Sequence, residues 1–209
     1  MDNATKTLRK KRMITAIVIV FAISLVGLIF LLVEDRIGEN KPSGTEETTL
    51  RPLLAIPNWD ENIFADEEWL DKNRYITYVE GGVSTTITDG VYDSYNICVD
   101  FMALYFEVLM QGNAEALCGF YDESYFDNNY KWDEITMQRV YDIKLEQISV
   151  VDTATHSEYV YKVSYKIMKN DGTFRNDVKS DGERPQFYTI VDDGTYIKIT
   201  DVSYSYIPK

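Results

Sequence analysis

Apolar and polar positions follow three different rhythms along this chain. From residue 13 to 33, MITAIVIVFAISLVGLIFLLV is 21 uncharged residues, which at about 1.5 Å per residue spans roughly the 30 Å of a bilayer core. A cleaved secretory signal has a shorter apolar region, about 7–15 residues, and here Glu34-Asp35-Arg36 follows, so the pattern predicts an uncleaved transmembrane anchor. Residues 93–111 repeat at helical spacing: Ile97, Phe101, Leu104, Tyr105, Val108 and Leu109 share one face and Val99, Met102, Phe106 and Met110 a second flank. Its polar stripe, Asn96, Asp100, Glu107 and Gln111, covers only about 60° of the wheel, so the helix is predicted to be mostly buried. From residue 142 onward the period becomes two, as in Tyr159, Tyr161, Val163, Tyr165 and Ile167, and predicts strands at 143–151, 159–167, 186–191 and 196–207.

Local punctuation divides these elements. In VLMQGNAEALCGFYDESYF, Gly112 suits the left-handed end of the long helix and Asn113 the cap of a short second one running to about residue 121. A third helix is predicted over 132–141. Gly81-Gly82 between two β-rich runs, 75–80 and 83–88, signals a small hairpin, and Asp193-Gly194 turns between the last two strands. Residues 38–51, GENKPSGTEETTLR, lack apolar periodicity and read as a tether, and a short helix is predicted at 65–73. The expected organisation is a basic tail at 1–12, a transmembrane helix at 13–33, a tether at 34–52, an arm with helix and hairpin at 53–90, and an α+β domain at 91–209. In that domain about three helices pack on a curved antiparallel sheet of about four strands.

Charge sharpens this layout. Lys6, Arg9, Lys10, Lys11 and Arg12 precede the apolar run, an order that keeps the tail cytoplasmic and sends the rest of the chain outside a cell membrane. From residue 34 onward 16 basic residues face 33 acidic ones, a net charge of −17, which disfavours nucleic acid and anionic lipid and suits cationic partners or a solvated surface. Cys98 and Cys118 are expected to be unbridged, because a helical hairpin would offset them by roughly 12 Å, beyond the ~7 Å reach of a disulfide.

Candidate chemistry is sparse. The single histidine, His156, falls in a turn, and Asp100 and Glu107 lie on the polar stripe of the long helix. Taking Gly182 as the sixth position of a calcium loop puts Lys179 and Tyr188 where ligands belong, which breaks the pattern. No CxxC pair, phosphate loop or GxSxG elbow occurs, so no cofactor, metal or catalytic set is expected.

The order of elements carried by FMALYFEVLMQGNAEALCGFYDESYF and the strands from 142 to 207 resembles the nuclear transport factor two-like superfamily, a cone in which a curved sheet wraps the first helix. The basic tail, apolar run and outer domain together are similar in layout to membrane scaffold subunits of conjugation and type IV secretion machines, in bacterial cells. Core and sheet-surface packing is the favoured role of the strand tyrosines; as a ligand-binding set, Phe101, Tyr105, Tyr165 and Tyr188 would line the cavity of a cone that holds a small hydrophobic molecule. The first reading is therefore a non-catalytic, membrane-anchored, extracytoplasmic interaction or ligand-binding domain with a protein partner. The alternatives are an extracytoplasmic enzyme using a carboxylate in the cone, and a sensor holding a small hydrophobic molecule. Oligomeric state is not readable from the sequence.

Overall fold

The computed structural model describes residues 54–88 and 96–207. The arm comes first, with a 3-10 turn at Ile63–Ala65 and helix α1 at Glu67–Leu70. The hairpin β1 (Ile76–Glu80) and β2 (Val83–Ile87) follows, then α2 (Ile97–Met110), α3 (Ala114–Cys118) and a second 3-10 turn at Glu123–Asp127. Four long strands close the chain: β3 (Arg139–Asp152), β4 (Ser157–Met168), β5 (Gln186–Asp192) and β6 (Ile197–Ser203).

All six strands form one sheet in the order β2-β1-β3-β4-β5-β6. The β1–β3 pairing is parallel and the other four are antiparallel, so the sheet is mixed. The expected fold class, four antiparallel strands beside a separate hairpin, is therefore corrected: the hairpin is the end of the main sheet, in register Ile76 with Ile143 and Val79 with Glu146. The helix predicted over 132–141 is absent, since this segment runs extended into β3 with Thr136 and Gln138 buried among polar partners. Among the described residues no helix is long and apolar enough to cross a membrane. Among the described residues the expected fold with an N-terminal transmembrane helix is thus corrected to a six-stranded mixed sheet with three α-helices, and the membrane and signal-anchor assignment finds no support in them. Residues 13–33, on which that assignment fell, lie outside the described residues.

The corner between α2 and α3 is built as its residues dictate. Gly112 has φ +70°, and a Cβ there would meet the Met137 backbone nitrogen at 2.8 Å, so both the conformation and the close approach require glycine. Asn113 caps α3, its side chain accepting from the Ala116 N–H at 3.0 Å. At the other end of α2, Asn96 Oδ1 accepts from the Cys98 and Val99 N–H groups and from the Tyr161 hydroxyl, which ties the helix start to β4.

α2 buries Cys98, Val99, Met102, Tyr105, Phe106 and Leu109 against one sheet face. The buried face is rotated from the predicted one: Ile97 and Leu104 are half exposed, and the second flank is in the core. The arm packs on the opposite face. Ile63 and Trp69 are fully buried against Tyr141 and Met168, and the Trp69 indole donates to the Val140 carbonyl at 3.1 Å. Asp66 fixes this arm by capping α1, pairing with Arg139 at 2.8 Å and with Lys169 at 2.9 Å. Cys98 and Cys118 are both free and buried.

Candidate functional site

The four residues expected to line a pocket do come together, but they fill the interior instead of lining a space. Tyr105, on α2, is fully buried and meets Phe106, Phe120, Tyr121 and Tyr188 edge-on, with the Tyr188 ring centroid at 6.0 Å. Tyr165 on β4 packs on Phe106 at 5.3 Å, and Phe101 packs on Phe120 at 5.0 Å. Such edge-to-face contacts add to the burial of large apolar rings.

Two of their hydroxyls have partners within this cluster. Tyr105 and Tyr121 share a hydrogen bond of 2.9 Å, Tyr165 accepts from Arg175 Nη1 at 3.2 Å, and the Tyr188 ring packs on Tyr105. Arg175 is itself buried. It donates to Gln186 Oε1 at 2.5 Å, to the Arg184 carbonyl, and through Nε and Nη2 to both oxygens of Asp177 at 2.6 and 2.8 Å. A buried cation needs such a complete set of acceptors. Burial pushes the Tyr105, Tyr121 and Tyr188 hydroxyls well above the usual phenol range, so they are neutral. Burial also raises Tyr165, against the opposing pull of the Arg175 charge. Burial would raise the Asp177 carboxyl too, but its bonds from Arg175 and that charge hold it below its ordinary value.

Tyr121 joins this interior to the surface. Its hydroxyl faces Tyr105, and on its other side opens a groove of about 570 Å³ between α3, residues 121–123, residues 131–133 and the start of β6. Trp132 forms one wall, with its ring 5.6 Å from Tyr121 and 5.4 Å from Phe174. The half-exposed Tyr196 stands on the β6 side. Four carboxylates line the groove, Glu115, Asp122, Glu123 and Asp133, against two ammonium groups. Of those two, Lys198 donates to the Gly119 carbonyl, and Lys131 lies 3.9 Å from Glu123 in an exposed pair. Asp122 accepts from the Ser124 hydroxyl and N–H, bonds that lower its carboxyl and keep it charged. The groove is thus a negative, aromatic-walled surface.

The remaining candidates stay apart from this groove. Asp100 and Glu107 line a separate cleft with Arg74 and Tyr75 on the outer side of α2. His156 sits in the β3–β4 turn beside Thr153 and Thr155. Asp177 and Asp181, the first and fifth positions of the calcium loop that Lys179 and Tyr188 break, are committed to Arg175 and to the Tyr141 hydroxyl. Among the described residues no group of three or more His, Cys, Asp or Glu side chains could hold a metal ion.

Sequence reading missed Arg175, which sits in the polar stretch NDGTFRNDVKSDGERP between two predicted strands, and Gln186, which falls at the first position of the strand predicted at 186–191. The one available signal was Phe174, an aromatic beside an arginine inside a polar stretch. No protein-family model matches this chain, and neither a curated protein nor a solved structure matches it.

Proposed function

We propose that the described domain is a non-catalytic interaction domain that recognises a basic segment of a protein partner in the groove walled by Trp132 and Tyr121. The observation that carries the reading is the contrast in occupancy: the interior tyrosines are packed ring on ring, with Tyr105 bonded to Tyr121 and Tyr165 to Arg175, whereas the groove beside them is open and holds four carboxylates. Acid–base chemistry in the cone would need a carboxylate and a tyrosine facing an open pocket, and the tyrosines here face one another and Arg175. A lysine or arginine side chain fits the groove on two grounds. Its charge is attracted by Glu115, Asp122, Glu123 and Asp133, and its cation can lie over the Trp132 face. The net charge of −17 beyond residue 33 steers basic partners toward the domain as a whole. The resemblance to the nuclear transport factor two-like superfamily is compatible with this role, because that fold hosts scaffolds as well as enzymes.

The test is a fluorescence-anisotropy titration of the full chain with labelled oligolysine and labelled oligoglutamate. Saturable binding of oligolysine alone, weakened by salt and lost in Asp133→Lys, is expected. Oligolysine binding that Asp133→Lys leaves unchanged, or no binding at low salt, overturns the groove assignment.

A further inference from the structure

The two edges of the sheet are treated differently. At the β6 edge the Ile199 N–H donates to the Phe120 carbonyl and the Asp122 N–H donates to the Ile199 carbonyl, so a neighbouring segment covers the strand. A register irregularity at Thr189/Ile190 further breaks the line of β5 and β6. Among the described residues, the β2 edge carries none of the usual protections against edge pairing, which are charge, proline, bulge or cover. Val83–Ile87 reads VSTTI, uncharged and regular, and Val83, Ser84, Thr85 and Thr86 are all exposed.

The hairpin fixes which backbone groups face outward. Gly81 and Gly82 have φ of +57° and +82°, the two-residue turn in which the flanking residues Glu80 and Val83 exchange hydrogen bonds. Alternation then makes Thr85 opposite Tyr78, and Ile87 opposite Ile76, the bonded positions toward β1. Ser84 and Thr86 therefore point their N–H and C=O groups away from β1, to the free edge.

From this parity we infer that β2 is a strand-addition site for a second copy of the same chain, paired antiparallel about a two-fold axis at Thr85. That register is the one that uses the whole strand: Ser84 bonds with Thr86 of the other copy, and Thr86 with its Ser84, giving four backbone hydrogen bonds. The side-chain pairs are also self-complementary, Val83 with Ile87, Ser84 with Thr86 and Thr85 with Thr85, all of the β-branched or hydroxyl kinds favoured across strands. A two-fold interface must match itself in this way. One five-residue strand pair falls short of the roughly 1,200 Å² of a stable interface, and two chains that each carry −17 beyond residue 33 repel. The pairing is thus weak, concentration-dependent, and strengthened by salt, opposite to the salt response of the groove.

Cysteine trapping in the full chain tests it. At the axis, Thr85 and its symmetry mate form a non-hydrogen-bonded pair with Cα atoms about 4.5 Å apart, within disulfide range. Thr85→Cys is expected to give a dimer bridged 85 to 85 by peptide mapping, increasingly with salt. Val83→Cys, whose mate lies about 13 Å away in this register, is expected to give none. Thr86→Pro removes an outward N–H that β1 does not use, and Thr86→Lys adds charge at the edge; each, introduced beside Thr85→Cys, is expected to abolish the bridge. Absence of an 85–85 bridge, equal bridging at 83, bridging that survives both Thr86 variants, or capture of a different protein by the Thr85→Cys thiol overturns the assignment.

Discussion

The interior around Tyr105 and the groove outside Tyr121 are separated by the thickness of one aromatic ring, yet they solve opposite problems. Inside, Tyr105 bonds to Tyr121, Tyr188 packs edge-on against Tyr105, and Tyr165 accepts from Arg175, whose charge is matched by Asp177. Outside, Glu115, Glu123 and Asp133 stand exposed around Trp132. The first region has its partners within the chain, and the second carries four carboxylates against two lysines, an excess of negative charge. Polar residues in a core therefore mark a site only when some of their valences point into space.

Breaking the interior is expected to cost the most. Tyr188→Ala removes a fully buried ring from between Tyr105 and Tyr165 and should lower stability by about 4 kcal/mol, read as the shift of a urea unfolding midpoint. Asp177→Ala strips the buried Arg175 of its carboxylate and should cost about 3 kcal/mol; Arg175→Met in the same background should recover part of that loss, because the uncompensated charge is gone. Tyr105→Phe keeps the packing and deletes one hydroxyl, leaving Tyr121 short of a partner, for a loss of about 1 kcal/mol.

Acid titration probes the arm. Asp66 is held at a pKa of about 2, first by the hydrogen bond from Lys169, against an ordinary value of 3.8. The folded-state value is depressed, so the stabilisation is fully present above about pH 4 and disappears as pH falls toward 2. The unfolding midpoint of Asp66→Asn should accordingly fall less steeply between about pH 5 and pH 2 than that of the parent chain. The smallest expected effect on stability is that of Asp133→Lys, which should leave the unfolding midpoint in place while abolishing oligolysine binding.

Much of the local architecture was legible because local chemistry decides it. The Gly112-Asn113 corner, the Gly81-Gly82 turn and the tyrosine-rich β4 each follow from backbone freedom, capping or alternation. What was not legible depends on residues far apart in sequence. The joining of β1 to β3 sets Ile76 beside Ile143, and nothing near either residue announces it. Residues 132–141 lost their predicted helix because Thr136 and Gln138 bond to Thr173, and because Gly112 packs on the 135–137 backbone. Of the candidate site, Phe101, Tyr105, Tyr165 and Tyr188 belong to one core cluster, and whether a ring lines a pocket or fills it depends on neighbours such as Tyr121 and Arg175. The groove was missed because Glu115, Trp132 and Lys198 come from three separate segments.

The central claim, a sealed interior with recognition outside it, is tested most directly by NMR of the full chain titrated with oligolysine. Shifts should centre on the Trp132 indole and on the backbone of 115–123 and 131–133, with the Tyr105, Tyr165 and Tyr188 ring signals unmoved. Shifts centred on Phe101, Tyr105, Tyr165 or Tyr188, with the Trp132 indole unchanged, would contradict it.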